Sequence, residues 1–175
     1  MLAAAAINAL LNAASVVEVK RSFTSCRAAV AYLQRNPEIG DLRYNISYGY
    51  SRTAPAPHAS HTIYRIRFAI RDPLVTVPAW NWPNASDADE TMLAAFTRNV
   101  ESHEAGHSRI ASTFAARVPH SAVLPAKMTR AQAAHYFDAF FHSELTALRR
   151  EQDTYDRLTD HGRLTQGTIL MCAQG

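Results

Sequence analysis

The order of apolar and polar positions divides the chain into a β-rich first half and a helical second half. Val16 to Phe23 is β-branched and partly alternating. It runs into Thr24-Ser25, which suits the N-cap of a helix over Cys26 to Arg35 that ends before Asn36-Pro37. Clean alternation follows, with Tyr44, Ile46, Tyr48 and Tyr50 on one side and Asn45, Ser47, Gly49 and Ser51 on the other. After a Pro-containing loop, Tyr64, Ile66, Phe68 and Ile70 share one face of a second run and Arg65, Arg67 and Arg71 the other. The two runs predict an antiparallel hairpin with one wet face. A short run, Leu74 to Val77, is expected to stop at Pro78 and give way to an aromatic loop with Trp80 and Trp82.

From Ser86 the period becomes helical. Ser86 or Asp87 supplies the N-cap, Asp89 and Glu90 sit in the first turn, and Pro119 is the stop. Leu93, Phe96, Val100, His103, His107, Ile110 and Phe114 recur at three- and four-residue steps and form one core-facing stripe. A last helix from about Thr129 carries Ala134, Phe137, Phe141, Leu145 and Leu148 and is expected to fade around Tyr155, ahead of a loop over Thr159 to Gly167. No repeat or linker interrupts the chain, so residues 1–175 read as one α+β domain.

The composition of the 175 residues, 47% apolar and 19% charged with six glycines, argues against disorder and low complexity. No apolar run approaches the length of a membrane span. A net charge of +3 with scattered arginines lacks the footprint of a nucleic-acid binder. Cys26 and Cys172 are too few and too far apart for a cysteine zinc knuckle; an oxidising compartment would allow them to pair. Residues 1–15 fit either an Ala-rich first helix or the remnant of an export signal. Their length and small-residue ending suit the signal, whereas the missing basic start and Asn8 and Asn12 do not.

The chemistry is concentrated in His103-Glu104-Ala105-Gly106-His107, an H-E-x-x-H pattern in mid-helix. Positions i and i+4 project from one face, so both imidazoles can reach one Zn²⁺, and Glu104 stands where it can take a proton from water that the metal has acidified. The rival reading is two neutral core histidines satisfied by carbonyls, and it requires two imidazoles to be desolvated without a metal. A third ligand is needed, and Ile110 and Thr113 stand where the longer HExxHxxGxxH pattern would have Gly and His. Glu144, on the apolar face of the last helix, and His161, after that helix, are the candidates. His58, His61, His135 and His142 are expected at the surface or in support of a ligand rather than on the metal.

Val77-Pro78-Ala79-Trp80, the HExxH helix, and Tyr155-Asp156 followed by Thr159, His161-Gly162 and Gln166-Gly167 together resemble domain-of-unknown-function family 922 over nearly the whole chain. Its members are bacterial proteins described as secreted zinc-dependent proteases of the zincin group. The late segment resembles the family's Y-D-x-x-T-x-H-G-x-x-Q-G ending, with three residues instead of two between Gly162 and Gln166. The resemblance implies a zincin-like α+β fold in which an N-terminal antiparallel β-rich part packs on the HExxH helix and a second long helix. It favours His161 over Glu144 as third ligand and gives Tyr155 or Asp156 the task of orienting a ligand or stabilising the transition state.

The expectation is therefore a secreted or periplasmic zinc peptidase acting on a peptide or protein, including one of the cell envelope, with His61 to Arg71 as the strand that pairs with substrate. The alternatives are a zinc-stabilised binding module without turnover and a cell-wall peptide amidase.

Overall fold

In the computed structural model, residues 15–35, 40–54 and 58–161 are described. Among them, four strands form one sheet and three helices accompany it. β1 (Ser15–Ser22) is followed by α1 (Cys26–Arg35), β2 (Asp41–Arg52), β3 (His61–Asn81), α2 (Asp87–Arg117), β4 (Ser121–Pro125) and α3 (Arg130–Thr159). The predicted hairpin is present: β2 and β3 pair antiparallel from Arg52↔Tyr64 to Asp41↔Thr76. The sheet as a whole is mixed and not purely antiparallel. β1 runs parallel to the second half of β3, because α1 and β2 intervene and return the chain in the same direction.

β3 is much longer than the sequence implied and passes through both prolines. Opposite Arg43 to Asn45, the register slips by one residue and Asp72 adopts φ 51, so Pro73 falls in a bulge where no ladder hydrogen bond is lost. Asn45 Nδ2 donates to Asp72 Oδ2 across the bulge at 3.3 Å. At Pro78 the β2 side of the strand is unpaired, since that ladder ends at Thr76. The missing N–H can therefore face the open side. Trp80 is accordingly a strand residue and not part of a loop. It packs against Phe23 and Phe96, and its indole donates to Thr97 Oγ1 at 2.8 Å. β4, enclosed by Pro119 and Pro125, was not legible as a strand. It pairs with the start of β3, from His61↔Pro125 to Arg65↔Ser121.

Both long helices start on reciprocal caps. Ser86 Oγ accepts from Asp89 N at 3.2 Å while Asp89 Oδ2 accepts from Ser86 N at 3.0 Å, and Thr129 and Gln132 repeat the arrangement. The helices cover one face of the sheet. The larger core cluster joins Tyr64, Ile66 and Ile70 of β3 to Phe114 of α2 and Phe137, Phe141 and Leu148 of α3. Phe137, wholly buried, stacks on Tyr50 at a centroid distance of 4.0 Å. A smaller cluster sets Val75 and Val77 against Phe96 and Val100 of α2. Residues 103–108 of α2 fall between the two clusters, so the one polar stretch of the stripe is held at both ends by packed apolar turns.

Candidate metal centre

The helical stripe carries His103 and His107 into the interior, with their side chains 6% and 13% exposed. The sequence suggested that α3 would end near Tyr155, but it continues to Thr159 and brings Asp156 to the same point. His103 Nε2 and His107 Nε2 are 3.2 Å apart, and Asp156 Oδ1 lies 3.3 Å from the first and 2.9 Å from the second. Among the described residues, these three form a group that could hold a metal ion. Ligand atoms on a tetrahedral zinc at about 2.0–2.1 Å are separated by about 3.3 Å, close to all three distances.

The partners of the outer nitrogens are consistent with a group that could hold a cation. His107 Nδ1 is 2.5 Å from Gln152 Oε1, and the amide of Gln152 is oriented by donating from Nε2 to His107 O at 3.1 Å and to the Tyr44 hydroxyl at 3.4 Å. His103 Nδ1 faces Thr159 Oγ1 at 3.5 Å, and that hydroxyl donates to Tyr155 O at 2.8 Å, so it meets the ring with a lone pair. Each imidazole thus keeps its proton on Nδ1. Both Nε2 lone pairs then converge with a carboxylate oxygen, an electron-rich triangle that a metal ion satisfies.

Burial pushes His103 below the usual histidine range; the neighbouring His107 adds to this, Asp156 opposes it, and His161 contributes a smaller push downwards. The folded state therefore prefers the neutral ring. Its contribution to stability is present above the unfolded value near 6.5 and is lost as pH falls through the lower folded value. Melts of the metal-free protein are expected to show Tm falling on acidification below about pH 6.5. A Tm that rises over that interval would contradict a neutral His103.

Glu104 is buried, 6% exposed, and Gly40, just before β2, closes over it. A Cβ at Gly40 would lie 2.5 Å from Glu104 Oε1 and 2.5 Å from Val100 Cγ1, so only glycine permits this approach. Gly106 has the same role towards α3, because a Cβ there would overlap the Tyr155 hydroxyl and ring. Tyr155 stacks on His103 with centroids 5.0 Å apart and donates its hydroxyl to His103 O at 3.3 Å. Burial, aided by Glu104 and Asp156 and opposed by Arg109, raises its pKa and keeps it a donor. Replacing a helical glycine by alanine normally stabilises by about 1 kcal/mol. Gly106→Ala is expected instead to cost about 1–3 kcal/mol of overpacking, read as a Tm lower by roughly 3–10 °C. A higher Tm would show that the two helices do not need this contact.

The sequence-derived site residues are partly brought together. His103, Glu104 and His107 line one cleft of about 920 Å³. His161 lines it too, but outside the three-atom group; Asp160 and His161 end α3 with φ 49 and 52, and His161 N donates to Asp156 O at 2.7 Å. Glu144 is half-buried in the middle of α3, away from both the group and the cleft lining. Tyr155 is engaged with the backbone of α2 and is not part of the lining. His58, His61, His135 and His142 are exposed. Asp156 and Gln152 are the residues to which the sequence reading gave too small a part or none. Residues 1–14, Gly162, Gln166-Gly167, Cys172 and the Cys26 side chain lie outside what is described.

The cleft is bordered by β2, not by His61 to Arg71. Consecutive residues from Gly40 to Ile46 line it, as expected of a strand's edge and not of one of its faces. Among the described residues, β2 pairs only with β3, which leaves that edge open. β3 is the inner strand, paired with β2 along most of the segment expected to meet substrate.

A family model described as "Bacterial protein of unknown function (DUF922)" matches residues 12–162, a span that holds the whole sheet, both long helices and the group that could hold a metal ion. No curated protein and no solved structure matches the chain.

Proposed function

The chain belongs to this bacterial family of unknown function, and from its site we propose that it is a zinc-dependent peptidase that hydrolyses an extended peptide laid along β2. The observation that carries the reading is the convergence of His103 Nε2, His107 Nε2 and Asp156 Oδ1 beside a buried glutamate, in a cleft with an open strand edge. His103, His107 and Asp156 would hold the ion, with Gln152 and Thr159 orienting the two rings. When bound, zinc supplies the Lewis acidity that makes water a nucleophile near neutral pH.

The remaining steps fall to the chain itself. Glu104, next in sequence to one ligand and fixed beneath Gly40, accepts the proton of the attacking water and passes it to the departing amine. The free N–H and C=O groups of β2 pair with the substrate backbone, which recognises an extended peptide whatever its side chains. Tyr44, which lines the cleft and meets Gln152, ties that strand to the His107 side of the site.

Zinc-loaded protein incubated with a peptide library is expected to give cleavage products that disappear when a chelator is added. An intact library in the presence of stoichiometric zinc would leave the site as a structural metal clip and sink the proposal.

A further inference from the structure

The sheet has a second face that the site does not use. α2 and α3 cover only one side, so alternate residues of β2, β3 and β4 point away from the helices; only near the start of β2, where Asn45 is, do residues of both faces border the cleft. On β3 these are Arg65, Arg67 and Arg71, all exposed and, among the described residues, none in an ion pair. Residues two apart on a strand stand about 6.6–7 Å apart, so Arg65 and Arg67 are neighbours in the row, while Arg71, beyond Ala69, is about 13 Å from Arg67. Their cross-strand neighbours are Ser51, Gly49 and Asn45, none of them acidic. Asp72, beside Arg71, accepts from Asn45 at 3.3 Å. Gly49 is opposite Arg67, and a Cβ built on it meets nothing within 4 Å. The glycine is there neither for packing nor for a turn, and it leaves the guanidinium on open ground.

The row continues into an apolar pair. Two residues before Arg65 on the same face is Ile63, 52% exposed, directly paired with Val123 of β4, 62% exposed. Exposed branched side chains next to arginines without an ion pair on one sheet face match the two components of a bilayer interface, acyl boundary and anionic headgroup. Among the described residues, no aromatic side chain of β2, β3 or β4 points from this face to stack on a base, which disfavours a single-stranded nucleic acid.

We propose that this outer sheet face docks the protein on a membrane surface containing anionic phospholipid. Arg65, Arg67 and Arg71 contact headgroup phosphates, Ile63 and Val123 enter the acyl boundary, and the cleft is left on the opposite side of the sheet. The docking does not depend on the peptidase reading, because no residue of the metal-binding group takes part.

The test is sedimentation of the full chain with phosphatidylcholine vesicles, with and without phosphatidylglycerol. Binding is expected only to the anionic vesicles and is expected to be lost at about 0.5 M salt. Joint substitution Arg65→Gln, Arg67→Gln and Arg71→Gln should weaken partitioning by on the order of 100-fold. Ile63→Ser with Val123→Ser should weaken it roughly tenfold. Gly49→Glu, which places a carboxylate in open space beside Arg67, should weaken it about fivefold. All of these positions are solvent-facing, so circular dichroism should be unchanged, and His103→Ala should bind vesicles like wild type. Equal binding to neutral vesicles, or anionic binding that survives the arginine substitutions, would overturn the proposal. So would capture by soluble polyphosphate without vesicle binding, since that would make the face a polymer site.

Discussion

Asp156→Ala is expected to strip the protein of zinc. The carboxylate is the only anionic member of the group that could hold the ion, and it closes the triangle at 2.9 and 3.3 Å from the two imidazole nitrogens. Without it, two neutral nitrogens on one helix remain, with neither the charge nor the third direction that a tetrahedral site needs. Loss of a group that only orients a ligand costs about 10- to 100-fold in metal affinity. Loss of the ligand itself should exceed that range, with Asp156→Ala weakening zinc binding by on the order of 1000-fold or more in a chelator-competition titration. His161→Ala, which changes the cleft wall, is expected to stay within about tenfold, and Glu144→Ala should leave affinity unchanged. Metal lost with His161→Ala and kept with Asp156→Ala would reverse the assignment and return the third position to His161.

Glu104→Gln should separate binding from turnover. The amide has the size of the carboxylate and fits under Gly40 in the same space, but it cannot accept a proton. Zinc stoichiometry should therefore be that of wild type while peptide cleavage falls by about 10²- to 10⁴-fold, the usual cost of removing a general base. Cleavage at the wild-type rate would remove Glu104 from the chemistry. Loss of zinc would instead make it a structural support of the site.

Part of this site could be read directly from the residues. The HExxH stripe was legible because ligand spacing and helix period coincide, so His103 and His107 appear in phase with Leu93, Phe96 and Val100. Asp156 was given only a supporting role for the opposite reason. After Leu148 the chain reads Arg-Arg-Glu-Gln-Asp-Thr, hydrophobic periodicity vanishes, and the helix looks finished. Continuing the phase past Leu148 gives Gln152, Tyr155, Asp156 and Thr159. These are the residues that hold His103 and His107, so the core-facing stripe does not stop there but turns polar.

The fold showed the same division. The hairpin and the starts of both long helices follow from local rules, and the structure keeps them. β3 passing through Pro73 and Pro78 does not follow from local rules, because it depends on which side of the strand lacks a neighbour at each proline. β4 is five residues that follow Pro119 closely and end on Pro125, and its only signal is the partner it finds in β3.

The parallel pairing of β1 has a kinetic consequence. Every partner of β1 stands the same 59 residues further along the chain, as from Ser22 to Asn81, whereas the β2–β3 hairpin closes across a short loop. Loop closure makes the distant ladder slow to nucleate, so it should form after the hairpin and α2 have already met. Destabilising substitutions in β1 are therefore expected to speed unfolding and leave the refolding rate almost untouched, giving chevrons that move on one arm only. Equal movement of both arms would place β1 in the folding nucleus. In the expected order, the HExxH helix already rests on the second half of β3 while the far edge of the sheet is still open, and β1 is the last strand to dock.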